Sequence, residues 1–280
     1  MADSQLHYEE RGKGLPVVLL HGFPFDHTIW QAQLDRAGEV ARVLAPDLPG
    51  FGASPLPPPE PVIDDYVAAL ARWVDALDLD RFVLVGHSMG GYVALSFARH
   101  YMGRLAGLGL VCTRPGPDTD QARENRYSMI NEVWDRGAEA TVDHMLPNLL
   151  APATQEKHPE IEDQVRAIMR RQPTGGIVSA LWAMASRPDS TPLLGNITVP
   201  TLVVSGADDR MIPQEDADLM AASIPGARQE QIRSAGHLPM LEQPDVLTGF
   251  LRDLARGSRP APDIPEPPPP QDIAGVRTQR

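Results

Sequence analysis

The stretch Val83-Leu84-Val85-Gly86-His87-Ser88-Met89-Gly90-Gly91-Tyr92 constrains this chain more than any other. Its short apolar run reads as a strand buried on both faces, and it breaks at Gly86. Helical spacing resumes at Met89, with Val93, Leu95, Phe97 and Ala98 as apolar positions. Ser88 sits at the break. A serine placed between glycines at so sharp a strand-to-helix turn has a strained backbone, and a Cβ two residues to either side would meet the neighbouring chain. The turn pushes the hydroxyl into the open at a helix N-terminus, where free N–H groups can stabilise a developing negative oxygen. The bland alternative is a glycine-flanked N-cap serine. The rest of the chain decides between the two.

Before that turn, the apolar runs 16–20 and 42–46 read as further strands, and Ile63 to Leu77 has helical spacing. After it, Leu105 to Cys112 is another strand. A weak alternation over residues 5–10 suggests an early antiparallel strand. Strand and helix alternating in this way imply a mostly parallel sheet wound on both faces, an α/β architecture. The alternation stops at Pro115. From there to about Pro192 the pattern is helical, with helices predicted over Arg123–Trp134, Ala138–Leu150, Ile161–Arg171 and Gly176–Ser186. An insertion of this kind between two sheet strands reads as a cap over the site. The sheet resumes at Pro200–Ser205, a helix follows at Glu215–Ser223, a last strand at Arg228–Ile232 and a last helix at Val246–Ala255. The expected organisation is an α/β core over 1–114 and 193–256, a helical cap over 115–192, and an extended or disordered Pro-rich tail over 257–280.

Composition narrows the function class. Hydrophobic residues make up 42% of the 280, enough for a sizeable core. The formal net charge of -12 argues against a nucleic-acid surface and a polybasic membrane patch. No apolar stretch approaches the ~20 residues of a membrane span. The single cysteine, Cys112, excludes an intrachain disulfide. With no signal-peptide pattern at the N-terminus, a cytoplasmic protein is expected.

A serine nucleophile needs a base, and the base needs an orienting acid. Of the 8 histidines, His237 is the candidate base, because it follows the last strand in a Gly-His-Leu-Pro loop. His21 ends an earlier strand and is expected to shape the loop there. His87 lies inside the turn, directed away from Ser88. Asp208 and Asp209 both follow the 201–205 strand, and Asp209 is the favoured acid. The order Ser, Asp, His, each on a different strand end, differs from the two common protease orders.

These stretches, with His21-Gly22-Phe23-Pro24, Asp47-Leu48-Pro49-Gly50-Phe51-Gly52-Ala53-Ser54, Gly206-Ala207-Asp208-Asp209 and Ala235-Gly236-His237, occur in one order over roughly residues 5–256. The chain thereby resembles the α/β-hydrolase superfamily, in its small soluble carboxylesterase and 3-oxoadipate enol-lactonase-like branch. The resemblance implies an α/β-hydrolase fold, a triad of Ser88, Asp209 and His237, and an oxyanion hole at the backbone amides of Phe23 and Met89. Ser88 departs from the aspartate nucleophile of haloalkane dehalogenases and epoxide hydrolases. The expected substrate is a small-molecule ester, with no metal or organic cofactor. The alternatives are a lactone, a perhydrolase side activity, carbon–carbon bond hydrolysis, or a hydrolase-fold binding protein or receptor. Candidate pocket residues are His21, Gly22, Met129, Met145, Trp182 and Leu238. Arg123, Arg126, Arg170, Arg171 and Arg187 are possible partners for a charged substrate. Oligomeric state is left open.

Overall fold

A computed structural model describes residues 6–39 and 41–258. The Pro-rich tail expected from 257 therefore lies outside the described residues from 259 onward. Seven strands form one sheet: β1 (Tyr8–Arg11), β2 (Pro16–Leu20), β3 (Arg42–Pro46), β4 (Phe82–His87), β5 (Leu105–Val111), β6 (Thr201–Gly206) and β7 (Arg228–Ile232). Their spatial order is β1-β3-β2-β4-β5-β6-β7. β1 pairs antiparallel with β3, and every other pair is parallel.

Between β2 and β3 lies α1 (Gln31–Ala37), between β3 and β4 lies α2 (Ile63–Ala76), and between β4 and β5 lies α3 (Met89–Tyr101). The long stretch between β5 and β6 folds into α4 (Asp120–Arg136), α5 (Glu139–Leu149), α6 (Pro152–Lys157), α7 (Pro159–Arg170) and α8 (Thr174–Ala185). The chain then adds α9 (Gln214–Ser223), α10 (Pro239–Glu242) and α11 (Pro244–Gly257). Among the described residues, no helix is long and apolar enough to cross a membrane.

The continuous apolar run of β4 follows from burial on both faces. Its alternate side chains feed two separate cores. Phe82 and Leu84 join α2 and α3 residues such as Tyr66, Leu70, Val93 and Phe97. Val83 and Val85 join α1 and α11 residues such as Leu34, Leu247 and Leu251. Each fully buried Val or Leu contributes roughly 1.5–3 kcal/mol, so β4 is a firmly held base for Ser88.

The helical stretch differs in detail from its sequence reading. α4 begins three residues earlier than expected, because Thr119 Oγ1 accepts from Ala122 N–H at 3.2 Å and caps the first turn. α6 was not anticipated at all. Pro152 and Pro159 occupy the first turns of α6 and α7, where the missing N–H costs no hydrogen bond. Both prolines are helix starts. The last helix likewise starts at Pro244 and continues to Gly257.

Candidate active site

Ser88 occupies the turn between β4 and α3 with φ 51° and ψ -114°, the left-handed region that a residue with a Cβ rarely adopts. Two glycines make the turn possible. A Cβ on Gly86 would lie 2.2 Å from the Gly90 carbonyl oxygen, and one on Gly90 would lie 2.6 Å from that of His21. The strand end is pinned by Ser88 N–H donating to Val111 O at 2.9 Å, across to β5. Met89 is the first residue of α3, so its N–H has no intrahelical carbonyl to reach.

His237 lies just after β7, and Asp209 just after β6. His237 Nδ1 is 2.9 Å from Asp209 Oδ2, and both side chains are buried. The other carboxylate oxygen, Oδ1, accepts from Met211 N–H at 2.8 Å and Ile212 N–H at 3.0 Å. Burial pushes the Asp209 carboxyl up. The imidazole's charge and hydrogen bond, with those two amides, outweigh it and hold the group below its ordinary range. Asp209 is therefore an ionised acceptor that fixes Nδ1 as the protonated nitrogen and leaves Nε2 as the basic one. Asp208 is exposed.

The backbone of His237 is held on every side. Its N–H donates to Leu149 O at 2.8 Å, and its carbonyl accepts from His87 Nε2 at 2.8 Å. His87 is fully buried. Desolvation, then the nearby His237, keep its ring well below the usual histidine range and therefore neutral. Glu242 completes the clamp. Its Oε1 accepts from Gly236 N–H at 2.8 Å and Leu238 N–H at 3.3 Å, on either side of His237. Its Oε2 accepts from Ala151 N–H at 2.7 Å and Thr154 Oγ1 at 2.8 Å, at the start of α6. One buried carboxylate thus ties the base loop to the helical stretch, and burial raises its pKa. Nothing in the sequence pattern singled it out; its signal is only a position five residues beyond His237.

Ser88 and His237 line one cavity of about 190 Å³, together with Phe23, Tyr92, Arg114, Asp118, Ala122, Arg126, Met145, Met184, Met211 and Ile212. Of the six candidate pocket residues, Met145 lines it. His21 is buried and fully engaged: Nδ1–H donates to Gly22 O at 2.8 Å and Nε2 accepts from Leu48 N–H at 2.8 Å. It braces the loops after β2 and β3 and does not line the cavity. Gly22 packs beneath it; a Cβ there would stand 2.6 Å from His87 Nδ1 and 3.0 Å from Ser88 Cβ. Leu238 is core. Met129 packs against the other core, and Trp182 lines a separate surface groove with Trp134 and Leu56. A helical apolar stripe does not tell which residues face a cavity and which face a core, so Met129, Met145 and Trp182 share one sequence signal and only Met145 lines the cavity. Tyr92, Arg114, Met211 and Ile212 were missed although a signal existed: each lies within a few residues of Ser88, β5 or Asp209, at the sheet edge where the site must be.

Of the five arginines considered for a charged substrate, only Arg126 lines the cavity. Arg123 and Arg170 pair with Asp120 and Glu139 on the surface, and Arg171 with Asp26. Arg187 is buried. It bonds Asp118, Gly116 O and Met184 O, and stacks 4.2 Å over Tyr92.

Residues 17–249 match the alpha/beta hydrolase family. This chain belongs to that family. Its small esterase and enol-lactonase-like branch is evident in individual relatives. A thermophilic esterase from Thermogutta terrifontis, solved with malate bound, is 41% identical with a TM-score of 0.88, over 90% of this chain and 93% of its own. The enol-lactonase from Burkholderia xenovorans LB400 is 25% identical with a TM-score of 0.83, over 90% and 96%. A 2-hydroxy-6-oxo-6-phenylhexa-2,4-dienoate hydrolase from Comamonas testosteroni is 29% identical, over 91% of this chain and 93% of its own. Within this alpha/beta hydrolase, Ser88, Asp209 and His237 follow the C-terminal ends of β4, β6 and β7, where open α/β sheets place their sites.

Proposed function

We propose that the protein is a serine hydrolase of carboxylic esters, acting through Ser88, His237 and Asp209. The observation that carries this reading is the convergence of Ser88 and the His237–Asp209 pair on one cavity. Ser88 Oγ attacks the ester carbonyl while His237 Nε2 takes its proton. The imidazolium that forms is stabilised by ionised Asp209, whose carboxylate needs no proton to do so. The carbonyl oxygen becomes an oxyanion, bound by the N–H groups of Met89 and Phe23. Each such donor is worth about 3 kcal/mol of transition-state stabilisation. His237 returns the proton to the departing alcohol, leaving an acyl group on Ser88. It then takes a proton from water, whose oxygen attacks the acyl carbon, and passes that proton to Ser88 Oγ as the bond to the acyl group breaks and the acid leaves. No step calls for a metal or cofactor. The helical stretch 115–192 serves as the cap, and its Met145 and Met184 form part of the acyl or alcohol pocket.

A lactone is the second reading, favoured by the likeness to the B. xenovorans enol-lactonase. Opening a cyclic ester uses the same steps, with the leaving alcohol still attached to the acyl chain. The direct experiment is 4-nitrophenyl butyrate hydrolysis by the wild type and Ser88→Ala, with circular dichroism to compare the folds. Turnover should fall on the order of 10⁵-fold in the variant. Turnover retained in a folded Ser88→Ala protein overturns the reading.

A further inference from the structure

Two residues of the helical stretch reach past the cavity to the loop that carries the Phe23 amide. Arg171 and Gln172 lie in the link between α7 and α8. Arg171 Nε donates to Asp26 Oδ2 at 2.8 Å and its Nη2 to Asp26 Oδ1 at 2.7 Å, a two-pronged grip on a buried carboxylate. Gln172 Nε2 donates to the same Oδ2 at 2.8 Å, and its Oε1 accepts from Gly52 N–H at 3.0 Å. Asp26 stands three residues after Phe23. Its Oδ1 also accepts from Thr28 N–H at 3.0 Å and so caps the short 3-10 helix His27–Trp30. Burial pushes the Asp26 carboxyl up. Arg171, Thr28 and Gln172 outweigh it and hold the group well below its ordinary range, so the ion pair persists.

Gly52 belongs to the second loop beside Phe23. The Phe51 ring there packs edge-on against the rings of Phe23 and His21, with centroids 6.3 Å and 5.3 Å apart. That loop meets α8 backbone to backbone, since a Cβ on Gly176 would lie 1.7 Å from Gly50 O. The segment 22–26 is therefore tied to the sheet at one end and to the helical stretch at the other. At the first end Phe25 N–H donates to Gly22 O at 3.0 Å; at the second Asp26 is held by Arg171 and Gln172. An exposed ion pair is worth little, but here the carboxylate is buried and its donors come from three residues.

Given the oxyanion role of Phe23 N–H, on which this rests, we propose that Arg171 and Gln172 are positioning residues for the oxyanion hole. Neither lines the cavity. By holding Asp26 and Gly52 they set where Phe23 N–H points. Seating of the cap on the sheet is then a condition for transition-state stabilisation as well as for enclosing the substrate. The oxyanion exists only once the carbonyl has become tetrahedral. A displaced amide therefore lowers kcat and leaves ground-state binding as it was.

The test follows 4-nitrophenyl butyrate hydrolysis in the wild type, Arg171→Gln, Arg171→Lys and Arg170→Gln. The Arg171 side chain is half-exposed, so its replacement leaves both cores in place. Arg171→Gln should lower kcat roughly tenfold or more and change KM less than about twofold. Lysine, which keeps the charge but not the fork, should restore part of the loss. Arg170→Gln breaks only the surface pair with Glu139 and should move neither constant more than about twofold. Inhibition by a trifluoromethyl ketone, whose adduct with Ser88 places an oxyanion in the hole, should weaken in Arg171→Gln by the same factor as kcat/KM. An unchanged kcat in Arg171→Gln, a loss that lies in KM alone, or ketone inhibition as tight as in the wild type overturns the proposal while leaving the serine-esterase reading intact. If the wild type does not turn over the ester, it is the esterase reading that fails. Hydrogen exchange of the 22–28 backbone then decides the positioning alone: faster exchange in Arg171→Gln supports it, and wild-type exchange refutes it.

Discussion

The sheet edge and the helical stretch opposite it contribute to one cavity in different ways. At the edge, Ser88, Asp209 and His237 each follow a strand whose neighbours fix its end. Their geometry is dictated by backbone: a positive-φ turn, two amides on Asp209, and a His237 peptide bonded at both its N–H and its carbonyl. In the helical stretch, Asp118, Arg126, Met145 and Met184 reach the cavity from three helices and a loop, positioned by side-chain packing and ion pairs. The lesson is a division of labour. On the proposed function, chemistry sits on the part of the fold that cannot shift without breaking the sheet, and substrate choice sits on the part whose side chains can be exchanged.

If that division is right, substitutions should fall into tiers. The largest effect after Ser88→Ala is expected at Asp209. Asp209→Asn should lower kcat on the order of 10⁴-fold by favouring the wrong imidazole tautomer, while the exposed Asp208→Asn should change it less than about threefold. Comparable losses in both would erase the distinction between the two acids. The same variant has a pH signature. The Asp209 pKa is depressed on folding, so its contribution to stability is present above the ordinary carboxylate value and is lost as pH falls through the folded value. Urea midpoints of wild type and Asp209→Asn should therefore differ most at neutral pH and converge on acidification; a gap that widens in acid contradicts the assignment.

A middle tier belongs to the joint between the two regions. Glu242→Gln keeps the shape but replaces one acceptor oxygen by a donor, leaving two buried groups unpaired. A loss of roughly 2–4 kcal/mol in urea stability follows. Misplacing His237 should also reduce kcat on the order of 10-fold to 100-fold, with KM little changed. Full activity in a folded Glu242→Gln protein would show that the base loop does not depend on this clamp. The smallest effects are expected at helical residues outside the cavity. Trp182→Ala and Met129→Ala should leave the ester chain-length profile within about twofold of wild type, whereas Met184→Ala, inside the cavity, should shift it toward longer acyl chains by enlarging the pocket. A profile moved by Trp182→Ala and not by Met184→Ala would relocate the pocket to the surface groove.

The same contrast explains what was legible in the sequence. Gly86, Ser88 and Gly90 announce themselves because only glycine fits beside that turn, and Asp209 and His237 because a strand must end before each of them. The mostly parallel sheet follows from strands that read as continuous apolar runs alternating with helices. The helical stretch obeys looser rules. Its Pro152 and Pro159 initiate helices, the first of which the periodicity does not predict, and Met129 and Met145 look alike in a periodic pattern though only Met145 lines the cavity. Glu242 escaped because its importance lies in a partner 91 residues away in the chain, Ala151, which no local pattern can reveal.

The central claim is that the sheet edge makes Ser88 a nucleophile through His237. It is met most directly by labelling the protein with a fluorophosphonate and locating the adduct by peptide mass spectrometry. The expected result is one phosphonyl group per chain, on Ser88, formed far more slowly in His237→Ala. A label on another residue, or equal labelling rates in the wild type and a folded His237→Ala variant, would contradict it.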